Sequence, residues 1–296
     1  MATRTLAGTN FPTELVNQMF NAVGGHSALA KLSAQKPIPF AGESVFVFSA
    51  AGEASIVGEG GNKPAGDATV APVVIRPIKF VYQHRVSDEF VYNAESKMQY
   101  LSVFADGFAK KIARGLDIAA MHGINPADLS DASFKATNSF DGLVSNTVTY
   151  AAANIDANID SAIQMVIADG GEVNGIAMSP AAGSAMAALK ANGVPQYPEF
   201  RFGQNPEAFY GMASDVNGTV STKGTATGSD TDHVIVGDFA NAFRWGFAKD
   251  IPMEVIQYGD PDGLGDLKRT NEVVLRAEAY IGWGILNADA FARVKA

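Results

Sequence analysis

No cysteine occurs among the 296 residues, which excludes disulfides, thiolate metal sites and a cysteine nucleophile and frees the protein from any redox compartment. Histidine is scarce: His26, His84, His122 and His233 stand singly, with no H-E-x-x-H and no pair at helical spacing, so no imidazole metal site is expected. Basic charge is short as well, 22 Lys and Arg against 31 Asp and Glu. The chain therefore lacks the overall basic bias with which many proteins neutralise phosphates. No run of about 18 apolar residues appears, and Met1 to Phe11 is polar and Thr-rich, so neither a membrane span nor export is expected.

Catalytic and cofactor patterns are missing in the same way. Gly58 to Lys63 invites comparison with a phosphate loop, but Lys63 follows Asn62 and precedes Pro64 where Ser or Thr would stand, and the third glycine of a dinucleotide fingerprint is absent. Asp260, Asp262 and Asp266 echo a calcium loop, yet Leu264 occupies a ligand position and no distant glutamate completes the set, which leaves an acidic turn. There is no G-x-S-x-G elbow. Asn217-Gly218-Thr219 matches a glycosylation triplet, which means nothing without export. Catalytic residues, cofactor and metal ligands are thus expected to be none. The rival enzyme reading rests on a site assembled from Asp238, Arg276 or Glu278, three residues that serve equally well as structural charges.

What is there is a chain with 47% hydrophobic residues, enough to bury a substantial core. Leu15, Val16, Met19, Phe20 and Val23 predict a short amphipathic helix within Phe11 to Leu32, ended by Gly24-Gly25, an arm able to pack on something else. Val45 to Phe48 and the run from Val70 to Tyr82 predict a two-stranded excursion around the tip Gly58-Glu59-Gly60-Gly61-Asn62-Lys63-Pro64. Such a hairpin cannot bury both faces alone and calls for a neighbour's surface.

Leu101, Phe104, Phe108, Ile112, Leu116 and Ala119 predict a long helix over Ser96 to His122, stopped by Gly123. Asp106, Lys110, Lys111, Arg114 and Asp117 fall mostly off its apolar stripe and read as a solvated or inter-subunit face. A second helix is expected over Ile155 to Asp169, using Ile155, Ile159, Ile163, Val166 and Ile167. A buried strand over Gly175 to Met178 follows, then a third helix opened by Ser179-Pro180 and ending near Asn192-Gly193. Pro195 to Ser229 reads as loops and Val234 to Val236 as a strand. Ile251 to Tyr258 and Glu272 to Leu286 read as two strands joined by a Gly- and Asp-rich turn.

This order resembles the HK97-like phage capsid family. Gly58 to Pro64 is similar to the tip of that family's extended loop, and Pro77-Ile78-Lys79-Phe80 leading to Val86-Ser87-Asp88-Glu89 to its return into the body. Met178-Ser179-Pro180, Leu189-Lys190, Gly193 and Gly237-Asp238-Phe239 resemble the family's axial subdomain, and Arg276, Gly282 and Asn287 to Ala292 its C-terminal end.

The resemblance covers nearly the whole chain and implies an α+β, HK97-like fold. Residues 1–38 would be the N-terminal arm and 39–83 the extended loop. Residues 84–148 and 250–296 would form a peripheral domain with a long spine helix, and 149–249 an axial α/β domain. The implied function is that of a major capsid protein, not an enzyme. Copies would assemble in the bacterial host cytoplasm into pentamers and hexamers of an icosahedral virion shell that encloses double-stranded DNA without reading its sequence. Portal, scaffolding and decoration proteins are the implied partners. The alternative is an encapsulin-like compartment around cargo enzymes. Glu59, Lys63 and Arg76 are the expected polar contacts between subunits. Two features depart from some members: no fused helical scaffolding segment, and no assignable Lys-Asn cross-link, so Lys63 and Lys79 read as ordinary interface lysines.

Overall fold

A computed structural model of the protein describes residues 26–51, 55–65, 67–89, 94–221, 232–249 and 253–296. Leu15, Val16, Met19, Phe20, Val23 and the Gly24-Gly25 pair lie outside the described residues. The described chain enters through a five-residue helix, Ala28–Leu32, capped by Ser27. Ala28, Leu29 and Leu32 are buried. The next segment follows the body of the same subunit, Lys36 and Ile38 donating their N–H groups to the carbonyls of Trp245 and Phe247 at 2.9 and 3.3 Å. Residues 28–38 thus pack on the core of their own subunit.

Strands β1 (Glu43–Ala51) and β2 (Asp67–Ile75) pair antiparallel, from Glu43 with Ile75 to Ala51 with Asp67, and form a two-stranded sheet by themselves. One face of the sheet leaves Phe46 70%, Val70 56% and Val74 49% exposed, while Val45, Val47 and Val73 on the other are half-buried. At its root Ile75 is buried, packed over Gly282 and Gly284. The expected return run does not continue to Tyr82. Arg76-Pro77 divides it, because proline offers no N–H to a ladder, and β3 (Ile78–Ser87) then joins a different sheet.

The long helix spans Ala94–His122, roughly 43 Å at about 1.5 Å per residue. Its expected stripe, Leu101, Phe104, Phe108, Ile112, Leu116 and Ala119, is buried. Gly123 ends the helix at φ 62°, where a Cβ would meet the Lys135 backbone at 2.6 Å. Asp106, Lys110, Lys111 and Arg114 are exposed. Asp117, expected with them, is fully buried instead: it faces Ser27 and Thr219, a partnership that spacing along one helix cannot reveal.

The remaining strands are β4 (Thr147–Thr149), β5 (Gly175–Met178), β6 (Lys190–Ala191), β7 (Val194–Pro195), β8 (Ala208–Phe209), β9 (Met212–Val216), β10 (Asp232–Gly237), β11 (Phe243–Lys249), β12 (Met253–Ile256), β13 (Glu272–Ile285) and β14 (Phe291–Lys295). Six of them form one mixed sheet in the order β4-β14-β10-β5-β9-β8, while β13 pairs with β11, β12 and β3 in another.

The mixed sheet is buried on both faces. Ala177, Ile235 and Phe291 point into a core shared with the long helix, Trp245 and Trp283. Ile176, Met178, Val234, Val236 and Val294 point the other way, onto the helices Ile155–Ala168 and Pro180–Ala188. Alternation along each strand divides the residues between the two cores.

Three local expectations change. Ile167 is exposed, on the outer side of its helix. The third helix stops at Ala188, and Asn192-Gly193, both at positive φ, turn the small hairpin β6–β7 instead. The region read as loops contains β9, paired in parallel with β5.

Candidate inter-subunit surfaces and buried junctions

The hairpin carries the residues expected to meet neighbours. Glu59 and Lys63 are exposed at its tip, where Gly61 donates to the Gly58 carbonyl at 3.0 Å. Arg76 is exposed at its root, on a cleft of about 730 Å³ also lined by Val74, Phe134 and Leu286. The fold does not bring the three together, and none forms an ion pair with another described residue. Lys79 differs from them: its ammonium lies 2.7 Å from Glu278, and that hydrogen bond raises its pKa.

Behind the hairpin, Asp117 ties the entering segment to the long helix. Its carboxylate accepts from Ser27 Oγ at 2.5 Å, Ala28 N at 2.9 Å, Leu29 N at 3.2 Å and Thr219 Oγ1 at 2.7 Å. It thus serves the open N–H groups of the Ala28–Leu32 helix from outside that helix. Burial pushes its pKa up to about 6 although all four donors pull it down. Lys31 adds a 2.5 Å ion pair to Asp215 on β9.

A second junction lies where the long helix ends. His122 contacts Asp141 at 3.3 Å through Nδ1 and the Thr219 carbonyl at 3.0 Å through Nε2. A carboxylate and a carbonyl only accept, so the ring satisfies both contacts when both of its nitrogens carry protons. Burial opposes the charge of that form, but Asp141 and Asp232 outweigh it and raise the pKa. Arg293 Nη1 bonds Asp141 Oδ1 and reaches Asp232 Oδ2 at 3.1 Å. Burial raises the pKa of Asp232, whose Oδ1 has no partner among the described residues.

His122, Asp141 and Asp232 have the donor atoms of a metal site. Arg293 already bonds both carboxylates, burial draws Asp232 toward its neutral form and the His122 ring lies against Asp141, so a divalent ion would add positive charge to a buried place. The cluster is an ion network joining four elements. No sequence signal marked it, because its members are far apart and none belongs to a motif.

The acidic turn acquires its partner in Arg85 on β3. The guanidinium makes two hydrogen bonds to Asp262, one to Glu272 at 2.9 Å and one to the Gly265 carbonyl at 2.8 Å. Those bonds hold the Asp262 carboxyl down at about 2. Asp266 caps the helix Leu267–Thr270 through Lys268 N. Of the residues of the enzyme reading, Arg276 and Glu278 share one face of β13 but take different partners, Arg276 bonding Gln83 and the Pro261 carbonyl and Glu278 pairing with Lys79, while Asp238 accepts from Asn174 and Asn241 elsewhere.

Comparison with known proteins agrees with this architecture. The model of the phage capsid family matches residues 7–296. A solved structure from Mycobacterium phage Ogopogo is 33% identical, with a TM-score of 0.79, over 91% of this chain and 92% of the other. One from Gordonia phage Cozz is 24% identical, with a TM-score of 0.70, over 100% and 90%. The capsid of an empty GTA particle computed with C5 symmetry shares the fold at 15% identity, with a TM-score of 0.58, over 100% and 94%. Comparison with curated proteins yields no match. These likenesses do not favour the protein-compartment alternative. The fold is HK97-like, and the chain belongs to the phage capsid family as a major capsid protein.

Proposed function

We propose that copies of this chain close into an icosahedral shell of pentamers and hexamers around the double-stranded DNA of a tailed phage, assembling in the host cytoplasm. The observation that carries this reading is the β1–β2 hairpin, a separate two-stranded sheet whose Phe46, Val70 and Val74 stay exposed. Two strands with apolar residues in water are marginal alone, and a neighbouring subunit laid against them removes that surface from solvent.

In this reading residues 1–38 are the arm and 39–83 the extended loop. Residues 84–148 and 250–296 make the peripheral domain and 149–249 the axial domain, with β14 completing the axial sheet from the C-terminal side. Glu59, Lys63 and Arg76 contact neighbouring subunits, each exposed ion pair contributing about 0–1 kcal/mol, so the shell's cohesion comes from many contacts. Containment of DNA is compatible with the net charge of -9, since the shell encloses the genome without reading it. Portal, scaffolding and decoration proteins complete the particle.

The test is to replace Phe46, Val70 and Val74 together by threonine. The dissociated subunit should keep its unfolding midpoint while shell yield falls at least tenfold by sedimentation. Undiminished shells would remove the hairpin from the assembly interface.

A further inference from the structure

Phe202 and Tyr210 are exposed aromatic residues held at positive φ. The former lies in the segment Pro198–Gly203, where Phe200 is buried, Arg201 is extended (ψ 152°) and Phe202 itself is left-handed at φ 59°, ψ 29°. Left-handed backbone suits glycine or asparagine and disfavours a bulky side chain. Here it turns the phenyl ring outward, 91% exposed. A subunit shaped only for its own stability would have no use for an aromatic ring so held.

Arg201 lies beside the ring, its guanidinium carbon 5.1 Å from the centroid, and forms no ion pair with another described residue. Glu199 on the same segment is exposed too, so any charge match depends on Arg201 itself and not on the segment's net charge.

The same subunit carries a surface complementary to this pair. A cleft of about 420 Å³ is floored by Ile163, Met186 and Met212, walled by the 81% exposed Tyr210, and bordered by Asp156 and Asp160. The two aspartates stand one turn apart on the helix Ile155–Ala168 and form no ion pair with a described residue. An apolar floor with an anionic rim fits a phenyl ring accompanied by a guanidinium.

We infer that Phe202 of one copy inserts into the Ile163–Met186 cleft of a neighbouring copy, with Arg201 against that copy's Asp156 and Asp160. The inference rests on the reading of the chain as a shell subunit and names one contact within it. Tyr197 lines the cleft and directly precedes the segment that carries Phe202, so knob and hole lie side by side on each copy, and each copy offers a neighbour both halves of the contact.

The cysteine-free sequence makes the test direct. Two full-length single-cysteine chains, Phe202→Cys and Ile163→Cys, one lengthened by a tag, are mixed into an excess of unmodified chain so that most contacts keep the ring, co-assembled and oxidised. The contact predicts a disulfide-linked heterodimer at least tenfold more abundant in shells than in dissociated subunits. Phe202→Gly should lower shell yield without lowering the subunit's unfolding midpoint. Arg201→Glu should do the same, and Asp156→Lys with Asp160→Lys should restore it. If shells form but the heterodimer is no more abundant than in dissociated subunits, the contact is overturned while the shell reading stands. If the unmodified chain forms no shell, the shell reading falls and takes the contact with it.

Discussion

Asp117 accepts a 2.5 Å hydrogen bond from Ser27, which precedes it by 90 residues, so the C-terminal part of the long helix grips the start of the described chain. Asp117→Ala would leave Ser27, Ala28, Leu29 and Thr219 with unsatisfied donors in a buried place. We expect a loss of about 3 kcal/mol in denaturant unfolding of the dissociated subunit, with faster proteolysis within residues 26–38. Unchanged stability would show that water replaces the carboxylate.

Three buried groups give stability a common pH dependence. Asp117 and Asp232 have folded pKa values raised by burial, and His122 is raised by its carboxylate neighbours against the opposing effect of burial. Each holds its proton more tightly when folded. The two aspartates are therefore most favourable below their ordinary range near 4 and lose that advantage as pH rises through their folded values. His122 loses its own as pH climbs above about 6.5. Asp141, Asp262 and Glu272 are lowered; they act in the opposite sense, below the ordinary carboxylate range. The unfolding midpoint of the subunit should fall between pH 5 and pH 8, and Asp232→Asn should flatten that fall. A midpoint rising over the same range would contradict the network.

Gly246 on β11 leaves room for the segment after the entering helix. A Cβ there would sit far inside contact distance of the Lys36 carbonyl, with Ile38 next to it. Gly246→Ala should displace residues 36–38 and cost about 1–3 kcal/mol, read as lost hydrogen-exchange protection of the Lys36 and Ile38 amides. Retained protection would mean the strand yields instead.

Arg85 gathers Asp260, Asp262 and Glu272 around one guanidinium. Arg85→Met should speed hydrogen exchange across residues 259–266 and return the Asp262 carboxyl toward the ordinary range, while exchange in the long helix stays unchanged. Slow exchange in the variant would assign the turn's order to its backbone alone.

The sequence made legible whatever depends on near neighbours. The stripe from Leu101 to Ala119, the Ser179-Pro180 start, and the strand Gly175–Met178 follow from spacing and capping and lie where expected. The long hairpin was legible from its β-prone runs, but not its end, because apolar residues on either side of Pro77, Ile75 before it and Ile78 after it, hide the break that the proline imposes. Strand β9 was missed because Met212–Val216 is short, has a single β-branched residue and owes its pairing to β5, far along the chain. Asp117 and the His122 network were out of reach for the same reason: their partners come from other elements, and charge on a helix face reads as solvated until something covers it. The surface residues Glu59, Lys63 and Arg76 are exposed as surface residues should be, and only an assembled particle tests their contacts.

The most direct measurement is electron microscopy of particles from cells that produce this chain, with symmetry-averaged reconstruction and assay of nuclease-protected DNA. The account predicts closed icosahedral shells of repeated copies, each hairpin lying on a neighbour and double-stranded DNA protected inside when the phage packages its genome. Subunits that stay monomeric under every assembly condition would contradict it.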